Sequence, residues 1–378
     1  MQEETIWKRW AWIVVGFMSS MILIQLFSTG SITRFAGFGE RFEHRYIDRI
    51  AQINAYIKPN SGGYDGQFYA QIATDPSLKN PQFEDAIDEP AYRSRRILLP
   101  LIAHLMAFRD PTASIWIYCS INIVCWYLFA LLVWRILEVR SPHDFAKWTA
   151  CVLSMGVMDS VKYSLTDLPS ILVVLFAIRI VEKRQLGAAG LFLSSIFLKE
   201  TNILSGIAMI RVRRRLHLEW KNLLFWACTA FFTLVSFFLW YRYVNSIFGT
   251  FAGVSGNFDW PFSSMVRNLW AAIQELFSGN IDDRYLFRIA AVIGLSFQAI
   301  WLTTQWKKIA NPILRLGLIY ALLFIFLGDL VWWGYWAVCR VVLPMTIAFN
   351  LLYNSKRFFW PGLILANLTA IHAVYRFP

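Results

Sequence analysis

Hydrophobic and polar positions along this chain fall into blocks, and the apolar blocks have the length of membrane crossings. Apolar runs occupy residues 10–28, 113–135, 145–158, 166–181, 187–198, 201–212, 222–246, 285–304, 312–331, 338–353 and 359–375. A helix rises about 1.5 Å per residue, so about 20 apolar residues cross a hydrocarbon core of ~30 Å, with shorter runs as exceptions. The pattern predicts an all-α polytopic membrane protein with about eleven transmembrane helices. Neither an internal repeat nor a low-complexity segment interrupts it, so residues 1–378 read as one membrane domain.

One further apolar piece, Ile97 to Phe108, has only a dozen residues and follows Arg93, Arg95 and Arg96. If it crossed, Arg135, Arg140 and Lys147 would lie outside. If it lies in the interface, Lys8-Arg9, Arg135 to Lys147, Lys183-Arg184, Arg211 to Lys221, Lys307-Lys308 and Lys356-Arg357 all fall on the cytoplasmic side. The positive-inside bias therefore makes it an interfacial amphipathic helix. By the same bookkeeping, 187–198 and 201–212 form a hairpin with Lys199-Glu200 at its outer turn. Two outer loops are then large, 29–112 and 247–284. Asp167, Asp329 and Arg340 reach the same face as Lys199 and Glu200.

Composition narrows the class. With 57% hydrophobic residues, 16% charged and a mean hydropathy of +0.47, the chain is far more apolar than a soluble domain. Its net charge of +12 sits in short clusters between apolar runs, as topology signals and phosphate contacts do, and not in a basic stripe for nucleic acid. Lys8-Arg9 before the first run resembles a signal peptide, but no convincing small-residue cleavage site follows, so the run reads as an uncleaved first span. Cys119, Cys125, Cys151, Cys228 and Cys339 lie in or beside apolar runs without CxxC spacing, which supports neither a disulfide framework nor a zinc site. The histidines at 44, 104, 143, 217 and 372 lack ligand spacing, and no metal or other cofactor is expected from them. The outer acids Asp75, Asp85, Asp88 and Glu89 keep a bound divalent cation possible.

The segment that membrane filling does not explain is Gly62-Gly63-Tyr64-Asp65-Gly66-Gln67-Phe68-Tyr69, a carboxylate flanked by glycines and aromatics in the first outer loop. Glycines permit close or left-handed backbone, and aromatic neighbours can direct one acid at a sugar or lipid. Each candidate has a structural reading beside it. Asp65 could close an Asx-type turn, and Asp167 could be helix-start chemistry with Pro169 in the first turn. Lys199 and Glu200 could be an ion pair capping two short helices, and the Arg93–Arg96 group could meet lipid headgroups. Trp332 to Trp336 could be an interfacial belt. Arg340 stands at the start of an apolar run, where arginine opposes the helix dipole, which favours a ligand.

The order of features resembles the GT-C superfamily of membrane glycosyltransferases, whose members include the protein O-mannosyltransferases and the lipid A aminoarabinose transferase. Gly63-Tyr64-Asp65-Gly66-Gln67-Phe68-Tyr69 with Arg95-Arg96-Ile97-Leu98-Leu99-Pro100 is similar to a group of bacterial members, and Arg340-Val341-Val342-Leu343-Pro344 is similar to a late helix of that group. In that family the acid often sits closer to the first span than Asp65 does, so Asp48 and Asp75 remain alternatives to it. The resemblance implies a bundle with an elaborated first outer loop in a bacterial inner membrane. It also implies a reaction at the outer face in which a sugar leaves a polyprenyl phosphate and joins a glycan, lipid or protein acceptor of the cell envelope. The residue types suit that chemistry independently. A departing phosphate needs cations, for which Lys199, Arg340 and one of Arg93, Arg95 or Arg96 serve, and the attacking group needs one base, for which Asp65 serves. Tyr64, Gln67, Asp167 and Glu200 complete the expected substrate-binding set. Attack opposite the leaving group would invert the anomeric centre. A transporter or flippase would place ionisable residues near the midplane, usually in two repeated halves. A non-catalytic subunit of an envelope assembly would leave Asp65 and Lys199 free to vary.

Overall fold

The computed structural model describes residues 2–213, 217–218, 220–249, 256–279 and 282–377. Helix α1 (Gln2–Thr29) leads into the first loop, which holds two 3-10 turns (Ile32–Ala36 and Glu40–Arg45) and the short helices α2 (Asp48–Gln52), α3 (Gly66–Ile72), α4 (Phe83–Ala86), α5 (Pro90–Arg93) and α6 (Leu98–Met106). The first half of the bundle follows with α7 (Pro111–Leu137), α8 (Pro142–Val152), α9 (Met155–Lys162), α10 (Asp167–Ile180) and α11 (Gln185–Ile196). A 3-10 segment (Glu200–Ser205), α12 (Gly206–Met209) and a two-stranded hairpin of β1 (Val212–Arg213) and β2 (His217–Leu218) connect it to α13 (Trp220–Phe248). The second half is α14 (Ser263–Phe277), α15 (Asp283–Thr304), α16 (Pro312–Ile325), α17 (Asp329–Trp332), α18 (Tyr335–Val341), α19 (Leu343–Leu352), α20 (Phe359–Ala366) and α21 (Leu368–Arg376).

The all-α membrane architecture expected from the pattern is present, but the apolar runs are not eleven uniform rods. Four helices among the described residues are long and apolar enough to cross alone: Ile6–Thr29, Pro111–Leu137, Trp220–Phe248 and Asp283–Thr304. A fifth is the pair α18 and α19, bent by 66°. The run at 145–158 is broken between α8 and α9, and the run at 359–375 between α20 and α21. Buried side chains satisfy the backbone near such breaks, as a membrane interior requires. Trp126 Nε1 donates to Val152 O at 3.0 Å, where α8 ends, and Asn367 Nδ2 donates to Leu363 O at 2.9 Å at the second break. Arg315 of α16 donates to the carbonyls of Ile207, Ala208, Ile210, Ile309 and Ala310 and so ties α12 to the start of α16.

The first loop packs on the bundle instead of lying over it. Phe35, Phe38, Phe68, Tyr69 and Phe83 are buried in the common core. Gly66 makes the docking possible: a Cβ there would sit 1.9 Å from Tyr163 O, so only glycine lets α3 start against the end of α9. Gly63 has φ +72°, in the left-handed region that glycine enters freely. Helix α6 has nine residues, about 14 Å of rise, too short to cross, and it leaves Ile102, Leu105, Met106 and Phe108 exposed.

Candidate functional site

Asp65 precedes α3, yet its side chain makes no capping bond. The Asx-turn reading therefore does not describe it. Its Oδ1 lies 3.1 Å from Arg93 Nη2 and its Oδ2 3.3 Å from Arg340 Nη2, while 27% of the side chain stays exposed. Burial alone would raise its pKa, but the charges of Arg93, Arg340 and Arg96 outweigh that and hold the carboxyl well below the usual carboxylate range. Arg93 is itself fixed by a fork to Asp88, with Nε–Oδ1 at 2.9 Å and Nη2–Oδ2 at 2.8 Å. The rings of Phe68, Tyr92 and Tyr69 lie 5.2, 5.6 and 5.9 Å from its guanidinium.

Asp167 also serves no cap. It accepts from Lys199 Nζ at 2.6 Å, and the same ammonium donates to Arg340 O at 3.1 Å. Arg340 joins the two acids, since its Nε is 4.0 Å from Asp167 Oδ2 while its Nη2 holds Asp65. Its Nε and Nη1 are buried without a hydrogen-bond partner. The guanidinium lies 5.1 Å from the ring of Tyr64, which stacks on Tyr163 at 4.2 Å. The helix-start argument for Arg340 needs correction. Helix α18 ends at Val341, so Arg340 occupies its last turn, where the dipole favours a cation. The apolar run hid that bend because Val341 to Leu343 are as hydrophobic as the helices they separate.

Arg96 and Glu200 form a second fork, Nε–Oε2 at 2.9 Å and Nη2–Oε1 at 2.7 Å, and Arg96 also donates to the hydroxyls of Tyr69 and Tyr92 at 3.1 and 2.7 Å. Burial would raise the Glu200 pKa, but Arg96 brings it down to about 2. These groups border a cavity of about 460 Å³. One wall is polar, with Arg95, Arg96, Lys199 and Glu200, and another apolar, with Leu323, Leu327, Val331 and Val341. Arg95 lies 4.7 Å from the ring of Tyr241 on α13. Asp65 and Arg340 are not lining residues; they stand behind the wall, joined to it through Lys199 and the Arg93–Arg96 segment. Another cavity, about 400 Å³, lies at Glu182, Arg211 and Arg315, but the Arg315 guanidinium is already engaged by five carbonyls.

Asp65, Tyr64, Arg93, Arg96, Asp167, Lys199, Glu200 and Arg340 thus share one connected cluster, with Arg95 on its cavity face. Gln67 does not join it: its amide contacts Gly39 N, Tyr46 OH and Gly62 O and braces the loop. In sequence Tyr92 and Tyr163 look like any interfacial tyrosines and were not singled out, Tyr69 entered only as part of the motif, and Asp88 only as a possible metal ligand. The Asp88–Arg93 spacing, with Pro90 opening a helix between them, was the available signal for that fork. Asp75 is used locally by Ser77 and the Lys79 amide. Among the described residues no group of three or more His, Cys, Asp and Glu is placed to hold a metal.

Fold and site together define a helical membrane protein with a charged, partly buried centre beside an amphipathic cavity. The sequence profile of glycosyltransferase family 87 matches residues 97–328, more than half of the chain. The chain belongs to that family and is a membrane glycosyltransferase. Asp167, Lys199 and Glu200 lie within the matched region, whereas Asp65, Arg93, Arg96 and Arg340 lie outside it. No curated protein and no solved structure matches the chain.

Proposed function

We propose that this protein is an inverting glycosyltransferase of the GT-C type. It moves a sugar from a polyprenyl-phosphate donor to a hydroxyl or amine of a glycan, lipid or protein at the outer face of a bacterial inner membrane. The observation that supports this reading most is the pairing of a cationic wall with an apolar wall in one cavity, with a carboxylate hydrogen-bonded to two arginines directly behind it. A lipid phosphate matches both walls at once.

In the reaction the acceptor oxygen or nitrogen attacks the anomeric carbon, and the bond from that carbon to the phosphate oxygen breaks. The electron pair leaves with the polyprenyl phosphate. Arg95, Arg96 and Lys199 face that departing charge and stabilise it, which lessens the need for a general acid. Asp65 takes the acceptor proton. Each of its oxygens receives one hydrogen bond from an arginine, so lone pairs remain for the proton. The two guanidiniums keep it ionised but also make it a weak base. Arg340, behind the cavity wall, keeps Asp65 oriented through its Nη2.

The test is Asp65→Asn, assayed with a polyprenyl-phosphate hexose. Turnover should fall about a hundredfold or more while donor binding and thermal melting stay close to those of the parent, because shape is kept and basicity removed. Near-normal transfer by this variant would remove Asp65 from the chemistry. Lipid or solute movement that depends on Lys199 and Arg340 without any sugar donor being consumed would favour a transporter instead.

A further inference from the structure

The connection from α13 to α15 reads in sequence as a large outer loop, but its described part is bonded through its backbone to the end of α16 and packs along α15. Helix α16 has 14 residues, a rise of about 21 Å, and starts beside Lys307 and Lys308; it ends about 9 Å short of crossing a ~30 Å hydrocarbon core. The connection completes that end. Phe262 N donates to Ile325 O at 2.7 Å and Asp259 N to Phe326 O at 2.9 Å. Gly328 N donates to Asn257 O at 2.7 Å and Leu330 N to Gly256 O at 3.1 Å. A Cβ on Gly328 would lie 2.1 Å from Gly256 O, so the two chains meet as closely as backbones can. Helix-end carbonyls satisfied by protein and not by water are what a membrane interior demands.

A second depth measure agrees. From Ser263, α14 runs back beside α15, and Ser296 Oγ approaches Met265 Sδ at 3.8 Å. Ser296 lies eight residues, about 12 Å, further along α15 than Arg288, whose guanidinium meets the carbonyl of the exposed Trp333 at 2.9 Å. The start of α14 therefore lies at least about 12 Å along α15 from the level of Arg288 and Trp333. Val266, Trp270 and Phe277 form an exposed apolar face, 56%, 60% and 88% open, while Ser264 and Ala272 face the protein. The polar side chains close on one another: Arg267 bonds Asp329 at 2.6 Å, Ser264 at 2.9 Å and Asp259, and Asn268 bonds Asp329 at 2.9 Å.

We propose that residues 256–277 re-enter the membrane from the side of the α15 N-terminus, with lipid hydrocarbon covering the Val266–Trp270 face of α14. Asn257 and Phe258 then reach the cavity from within the membrane, as part of its lateral wall. This placement is independent of the sugar chemistry.

The experiment is nitroxide labelling of single cysteines in the full chain, reconstituted in phosphatidylcholine vesicles, with the exposed Cys228 replaced by serine. Labels at Val266→Cys and Trp270→Cys are compared with Ile300→Cys on the lipid face of α15 and Asn60→Cys on the first loop. Collision with oxygen and with a water-soluble nickel chelate is read at each position. The two α14 labels should match position 300, with chelate collisions at least about fivefold below position 60, because a polar complex is excluded from hydrocarbon. Chelate access equal to that of position 60 overturns the proposal. Should Trp270→Cys unfold, Val266→Cys, which nearly conserves volume, decides alone.

Discussion

Residues 31–106 and residues 256–277 both approach the cavity from long connections, and they hold their positions by different chemistry. The first loop brings side-chain charge: Asp65, Asp88, Arg93 and Arg96 join Asp167, Lys199, Glu200 and Arg340 from three other segments. It is held by buried aromatics and by a glycine against Tyr163. The 256–277 segment instead brings backbone, four amide–carbonyl bonds to the end of α16 and its extension, and turns most of its large apolar side chains outward. A site that carries ionised groups needs rigid, desolvated surroundings to fix them. A wall that meets lipid needs its own polar atoms satisfied and its apolar ones free.

The comparison is tested most severely at Gly66. Gly66→Ala forces a methyl into the Tyr163 carbonyl and must lift α3 from the bundle, costing about 3 kcal/mol of stability by overpacking. Thermal melting in detergent should fall by about 5 °C and turnover about a hundredfold, since Asp65 moves with α3. An unchanged melt would mean the first loop is not tied down there.

A smaller effect is expected from Arg93→Gln, and it appears as a pH dependence. The Asp65 carboxyl is depressed in the folded protein, so its ionised form and the stability it contributes are present above the ordinary carboxylate value of about 3.9 and are lost only as pH falls through the lower folded value. The parent protein should therefore show no acid limb from Asp65 between about pH 5 and 8. Removing one cation raises the carboxyl and should shift its acid limb upward relative to the parent, with turnover about tenfold lower at neutral pH from lost orientation. A pH–rate profile that does not move would separate Arg93 from Asp65.

On the other connection, Arg267→Gln leaves Asp259 and Asp329 without their shared cation. A loss in turnover of about threefold is expected, with donor KM rising and Asp65 chemistry intact, since only the lateral wall loosens. A fall as large as that of Gly66→Ala would mean that this segment carries chemistry as well as shape. The least effect belongs to Cys228→Ser on the lipid-facing side of α13, where activity and melting should stay within error, a change of about 0.5 kcal/mol or less.

Much of the cluster was legible in residue types. Asp65 stood out because glycines and aromatics around one acid have no membrane-filling purpose, and Lys199-Glu200 because ionisable residues between two apolar runs need partners. The partners themselves were not legible. Asp65 and Arg340 are 275 positions apart and Arg96 and Glu200 104 apart, and no local pattern pairs them. Gln67 looked equally exposed to substrate in the motif, yet its amide is used in bracing Gly39 and Gly62, a contact set by how the loop folds back on itself.

By itself the sequence determined the solvent: long blocks of apolar residues with basic punctuation suit helices in a bilayer, because a helix satisfies its own backbone there. It also determined which groups would be costly to leave alone, since a charge near hydrocarbon must find a counter-charge. Tertiary structure decided where the helices break, which acid meets which cation, and that a segment resembling an outer loop caps a helix too short to cross. Those outcomes depend on close approach between distant parts of the chain, such as Gly256 against Gly328 and Gly66 against Tyr163, and hydropathy, which is summed along the chain, carries no record of them.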